Sequence, residues 1–80
     1  MSTATLTDKD VNLRDAVMHQ LEWEPAIDAS GIGVTARAGA VVLSGSIPTY
    51  AAKLAAERAA KRVRGVRAVA NNLEVTLAAG

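Results

Sequence analysis

Few residues in this 80-residue chain have the type and spacing that chemistry needs. "DKDVN" at 8–12 opens like a calcium loop, but its sixth place is Leu13, where the turn needs glycine. Its twelfth is His19, where a bidentate glutamate would close the shell. The acidic run fits a helix's first turn instead, where the macrodipole favours negative charge. His19 is the one histidine and there is no cysteine, so zinc ligation and acid–base work lack their usual company; a surface helix position is expected for it. Ser44 stands in "LSGS" and not in the Gly-x-Ser-x-Gly of a nucleophile elbow. Glycines 31, 33, 39, 45 and 65 never fall three apart, so no Gly-x-x-Gly clamp for RNA exists. These residues predict no enzyme, no metal, no cofactor and no nucleic-acid partner.

What remains is charge. Residues 1–30 hold two basic side chains against six acidic ones, a net of −4, while residues 49–68 hold six basic against one acidic, a net of +5. The asymmetry either steers a partner or draws the domain's own halves together. In "KRVRGVRAVANN" (61–72), Gly65, Val66, Val69 and Asn71 read as fold residues, and Arg62, Arg64 and Arg67 as part of a shallow binding surface. Lys53, Lys61 and Arg64 point away from an alanine face, Arg58 and Arg62 flank them, and Tyr50 and Leu54 lie among them. Basic side chains with embedded apolar groups suit an anionic membrane or an acidic partner. The structural alternative packs Leu54 on the first helix and pairs Glu57 with Lys53 and Lys61 at four-residue spacing. Trp23 is expected to seal the core at the end of the first helix, or else to offer its amphipathic ring to a headgroup layer.

The elements that must position these side chains are well punctuated. Thr7 suits an N-cap with Asp10 three residues on, Leu6 and Val11 suit a hydrophobic staple, and Leu13, Val17 and Leu21 form a stripe ended by Pro25. Ile32, Val34 and Ala36 alternate, turn at Gly39 with a positive φ, and resume with Val41 and Leu43 as a hairpin. Gly33, Thr35, Arg37, Val42 and Ser44 form the other face, which predicts a sheet covered on one side. Thr49 caps a second helix whose Ala52, Ala55, Ala56, Ala59 and Val63 share a face, and Gly65 is expected as its left-handed C′ residue. Val69, Leu73, Val75 and Leu77 alternate as a third strand. The predicted fold is α+β, a two-layer α-β-β-α-β sandwich with both helices on one face of a three-stranded sheet. Leu13, Val17, Leu21, Val34, Val41, Leu43, Val63, Leu73 and Val75 are its expected core.

"GAVVLSGSIPTYAAKLAAERAAKRVRGVRAVANNLEV" resembles the BON domain, the bacterial osmotically inducible and nodulation domain. Ile32-x-Val34, Gly39-x-Val41-x-Leu43-x-Gly45, Gly65-Val66 and Val69-x-Asn71-x-Leu73-x-Val75 carry the likeness. It implies the same fold with a mixed sheet, strand three parallel to strand two. The implied role is a non-catalytic interaction module that associates with phospholipid surfaces or with neighbouring BON domains, in a stress or envelope-maintenance protein. The contact residues would be Trp23, Tyr50, Lys53, Leu54, Arg58, Lys61, Arg62, Arg64 and Arg67. A structural unit of a multi-domain protein and a potassium sensor are the other roles the resemblance brings. "LEWEPAID" is similar to members in which several such domains follow one another.

Composition agrees with one small domain: half the residues are hydrophobic and 21% charged, and with no Phe, one Trp and one Tyr the core must be aliphatic. Residues 1–6 are expected to be flexible and 78–80 to be an end or a linker. No apolar run approaches a bilayer's width, and "MSTATLTDKD" lacks a secretory signal's basic and apolar regions, so the expectation is a cytoplasmic chain, or a periplasmic one if it is a truncated piece of an exported protein.

Overall fold

A computed structural model of the protein describes residues 8–25 and 27–76. Helix α1 (Asp8–Glu22) is followed by a short 3-10 turn (Ala29–Gly31), strands β1 (Ile32–Arg37) and β2 (Ala40–Ile47), helix α2 (Tyr50–Lys61) and strand β3 (Ala68–Val75). The expected cap at Thr7, the staple residue Leu6 and Leu77 lie outside the described residues. β2 is the central strand. It pairs antiparallel with β1, Val34 opposite Leu43, and parallel with β3, Val41 opposite Val69 and Ile47 opposite Val75. The predicted α-β-β-α-β order and mixed sheet are both present, and α2 is the crossover that a parallel pair requires.

Period-2 alternation sends one side of each strand inward. Ile32, Val34, Ala36, Val41, Leu43, Ile47 and Leu73 join Val17 and Leu21 of α1 and Ala52, Ala56, Ala59 and Ala60 of α2 in one buried cluster. Thr35, Arg37, Ser44, Ala70, Asn72 and Glu74 remain exposed on the opposite face, and Val42 is half-buried there. The side chains that α2 buries are all alanines, which lets its backbone lie close to the sheet. Leu13, Val63 and Val75, expected in the core, are only half-buried. Val63 lies beyond the end of α2, Val75 ends an edge strand, and Leu13 leans over Gly65. Ile27 and Ile47, not among the expected core residues, are buried at 8% and 1% exposure.

The hairpin tip is held from two sides. Ala38 and Gly39 both have positive φ, 51° and 87°, the geometry of a two-residue turn that follows the strands' own twist. A non-glycine residue there costs about 1 kcal/mol. Asp10, buried in α1, offsets this by accepting the Ala38 N–H at 2.9 Å. Beyond the turn, the Gly39 carbonyl accepts the N–H groups of Arg67 and Ala68 at 2.7 and 3.3 Å, and so starts β3. The Arg67 stem lies over Gly39: an added Cβ there would meet Arg67 Cδ at 2.6 Å.

Gly65 has φ +100° but is not the residue that stops α2. The helix ends at Arg62, still right-handed, whose N–H reaches the carbonyls of Arg58 and Ala59. Gly65 serves a separate turn, closed by Val66 N–H to Val63 O at 3.2 Å, that swings the chain toward β3. The chain must tighten before it reverses, which moves the left-handed residue three places past the cap.

The glycines rank by mechanism. At Gly45, φ is +113° and a Cβ would collide with the Gly31 carbonyl oxygen, whereas at Gly65 it would find Leu13 Cδ1 at an ordinary 3.5 Å. Gly65→Ala should therefore cost about 1–2 kcal/mol from strain alone. Gly45→Ala should cost at least about 3 kcal/mol, because strain and a backbone clash act together. Urea midpoints of the two variants check the order; equal losses would contradict it.

Candidate interaction surface

Turning 100° per residue, α2 buries alanines on one side and puts Tyr50, Leu54, Arg58 and Lys61 on the other. Tyr50 is 63% exposed and Leu54 38%, so Leu54 does not pack into the core between the helices. Arg58 and Arg64 are exposed and make no ion pair among the described residues. Lys61 pairs with Glu57 at 3.0 Å, the four-residue spacing expected, while no such ion pair joins Glu57 to Lys53. On the α1 flank, Arg62 reaches Glu24 at 3.8 Å. Trp23 is beside Glu24 in sequence and is 77% exposed. It does not seal the core: its N–H still bonds the His19 carbonyl at 3.1 Å, so it continues the helical turn about 200° round from the buried Leu21.

Most of the nine residues named from sequence therefore share one surface. Tyr50, Leu54, Arg58 and Lys61 form its centre, Lys53 the β3 flank, and Arg62 the α1 flank through Glu24, which Trp23 precedes in sequence. Arg64 sits in the turn that follows. Arg67 belongs to the hairpin tip, where backbone and stem are both committed.

Asn71 is what fixes this helix face relative to the sheet. It interrupts the inward series Val69, Leu73, Val75, and its Nδ2 donates to the Lys53 carbonyl at 3.0 Å and to Glu57 Oε1 at 3.3 Å. Its Oδ1 accepts the Leu73 N–H at 3.2 Å, which satisfies a donor on an edge strand. A hydrogen bond from Lys61, a second from Asn71 and the nearby charges of Lys61 and Lys53 hold the Glu57 carboxyl below the usual glutamate range. Sequence placed Asn71 in the fold but not its partners; the visible signal is an amide at an inward place of an apolar alternation. No described residues form a group of three or more His, Cys, Asp and Glu side chains able to hold a metal. No described helix is long and apolar enough to cross a membrane.

The family model of the BON domain matches residues 9–76, which takes in every described element but the first residue of α1. The chain belongs to the BON domain family. No curated protein matches it. Gly39, Gly45, Gly65 and Asn71, which carried the resemblance, prove to be the tip, the point of β2 where the Gly31 carbonyl closes on the backbone, the turn and the helix tie.

Asn71→Ala should cost about 1–3 kcal/mol, since it leaves the Leu73 N–H without its partner. Because folding lowers the Glu57 pKa, its contribution is present above the ordinary glutamate range and is lost as pH falls through the lowered value. Carboxyl carbon NMR should show Glu57 titrating below an ordinary glutamate in the wild type and closer to one in Asn71→Ala. An unmoved titration would contradict the tie.

Proposed function

We propose that this BON domain is a non-catalytic module that docks on anionic phospholipid surfaces through the outer face of α2. The single observation that carries the proposal is that the exposed large hydrophobics among the described residues, Trp23, Tyr50 and Leu54, all belong to the helices or the turns that end them, as do Lys53, Arg58, Lys61, Arg62 and Arg64. Solvated helix faces commonly show charge; they less commonly show aromatic and aliphatic groups set between cations. Lysine and arginine heads are drawn to lipid phosphates, and amphipathic rings sit at headgroup depth. Family membership supports the class of role, and with it a place in bacterial stress or envelope maintenance.

Attraction of about 1 kcal/mol for each basic residue at the surface makes the association weak and dependent on several cations together. It decays over a Debye length of about 8 Å at physiological ionic strength. The domain should float with vesicles containing phosphatidylglycerol at low salt, leave them as salt rises, and ignore phosphatidylcholine vesicles. Emission from Trp23, the one tryptophan, should shift to the blue on binding. Replacing Lys53, Arg58, Lys61 and Arg64 with glutamine should abolish flotation while circular dichroism stays unchanged. Absence of binding to any vesicle at low salt would instead favour a scaffold unit that contacts neighbouring domains.

A further inference from the structure

The acidic side of the helical layer carries a shallow groove between the end of α1 and the 3-10 turn. Met18, Glu22, Ile27, Asp28, Ala29 and Ile32 line it. Ile27 and Ile32 form the floor at 8% and 6% exposure, Met18 and Ala29 are half-buried, and Glu22 and Asp28 stand exposed at the rim. The Ser30 hydroxyl and N–H donate to Asp28 Oδ1 at 2.7 and 3.1 Å and keep that carboxyl ionised and fixed in direction.

The outer ridge of α2 is complementary to this groove in kind: Tyr50 and Leu54 are apolar and exposed, and Arg58 and Lys61 follow within two turns. We propose that a second copy of this chain seats the Tyr50–Leu54–Arg58 ridge of its α2 in the groove of the first, head to tail. Charge argues for that occupant: Glu22 and Asp28 are the charged residues that line the groove, while Arg58 and Lys61 stand on the ridge, within segments 1–30 and 49–68 whose net charges are −4 and +5. Ridge and groove are different surfaces, so the contact is heterologous and each added copy leaves one of each open. A single helix ridge on a shallow groove falls well under the area of a standard stable interface, so the association is weak. Charge across it makes it sensitive to salt. The inference does not depend on lipid, though it uses the same ridge, so copies and anionic vesicles compete for it.

Sedimentation velocity at low salt, over a wide range of loading concentrations, tests this. The weight-average sedimentation coefficient of the wild type should rise with concentration, and added salt should reverse the rise. Glu22→Lys, which spoils the groove, and Arg58→Glu, which spoils the ridge, should each remain monomeric. An equimolar mixture of the two should form a 1:1 complex, because the first keeps its ridge and the second its groove. A mixture that stays monomeric overturns the proposal, and so does a wild type that stays monomeric throughout or variants that still self-associate. Glu22→Lys should keep its vesicle flotation, so loss of self-association is distinguishable from failure of lipid docking.

Discussion

The hairpin tip is the joint on which the rest of the domain depends. Within two adjacent residues, Ala38 N–H reaches Asp10 of α1, and the Gly39 carbonyl receives Arg67 and Ala68 at the entry to β3. α1, the hairpin and the last strand are thus registered at one point. That register decides which residues of β3 face inward, because a slip of one would exchange Leu73 for Asn72. The parallel pairing of β2 with β3 is non-local and costs loop-closure entropy before it gains contacts. Two hydrogen bonds to one carbonyl at the start of β3 fix where that pairing begins.

From that register follows the one-sided architecture. All inward side chains must be covered by two helices in a chain with no phenylalanine, and the alanine face of α2 achieves this by proximity in place of bulk. A helix seated so close has little room to bury anything on its outer half, so Tyr50 and Leu54 stay in water beside Arg58 and Lys61. Asn71 then stops the helix from rolling over the sheet edge, through Lys53 and Glu57. The surface assigned to binding is in this sense a product of the packing: the face that cannot enter the core is presented in a fixed orientation.

Sequence legibility followed interaction range. Thr49 as a cap was plain in the sequence, because it acts over three residues, and the structure has it accepting the Ala52 N–H at 3.0 Å. The hairpin and the strand alternation were equally plain, being set by period and by Gly39. Three features were not. Asp10 read as an acid at a helix start, because its partner lies 28 residues away. Gly65 read as a helix cap, because spacing alone cannot show that the chain tightens at Arg62 before it turns. Trp23 was expected to seal the core or else to face outward, and only the helix phase decides: it stands about 200° round from Leu21 and is exposed. Most of the candidate surface was legible as a helix face; the place of Arg67 at the hairpin tip was not, since only the folded tip shows its stem lying across Gly39.

The central functional claim is one of orientation: α2's outer face meets the lipid and the open sheet face looks away from it. Paramagnetic relaxation from spin-labelled headgroups in anionic bicelles tests this most directly. The account predicts strong broadening of Tyr50, Leu54, Arg58, Lys61 and the Trp23 indole, with Thr35, Val42 and Asn72 on the opposite face unaffected. Broadening concentrated on Thr35, Val42 and Asn72 would contradict it.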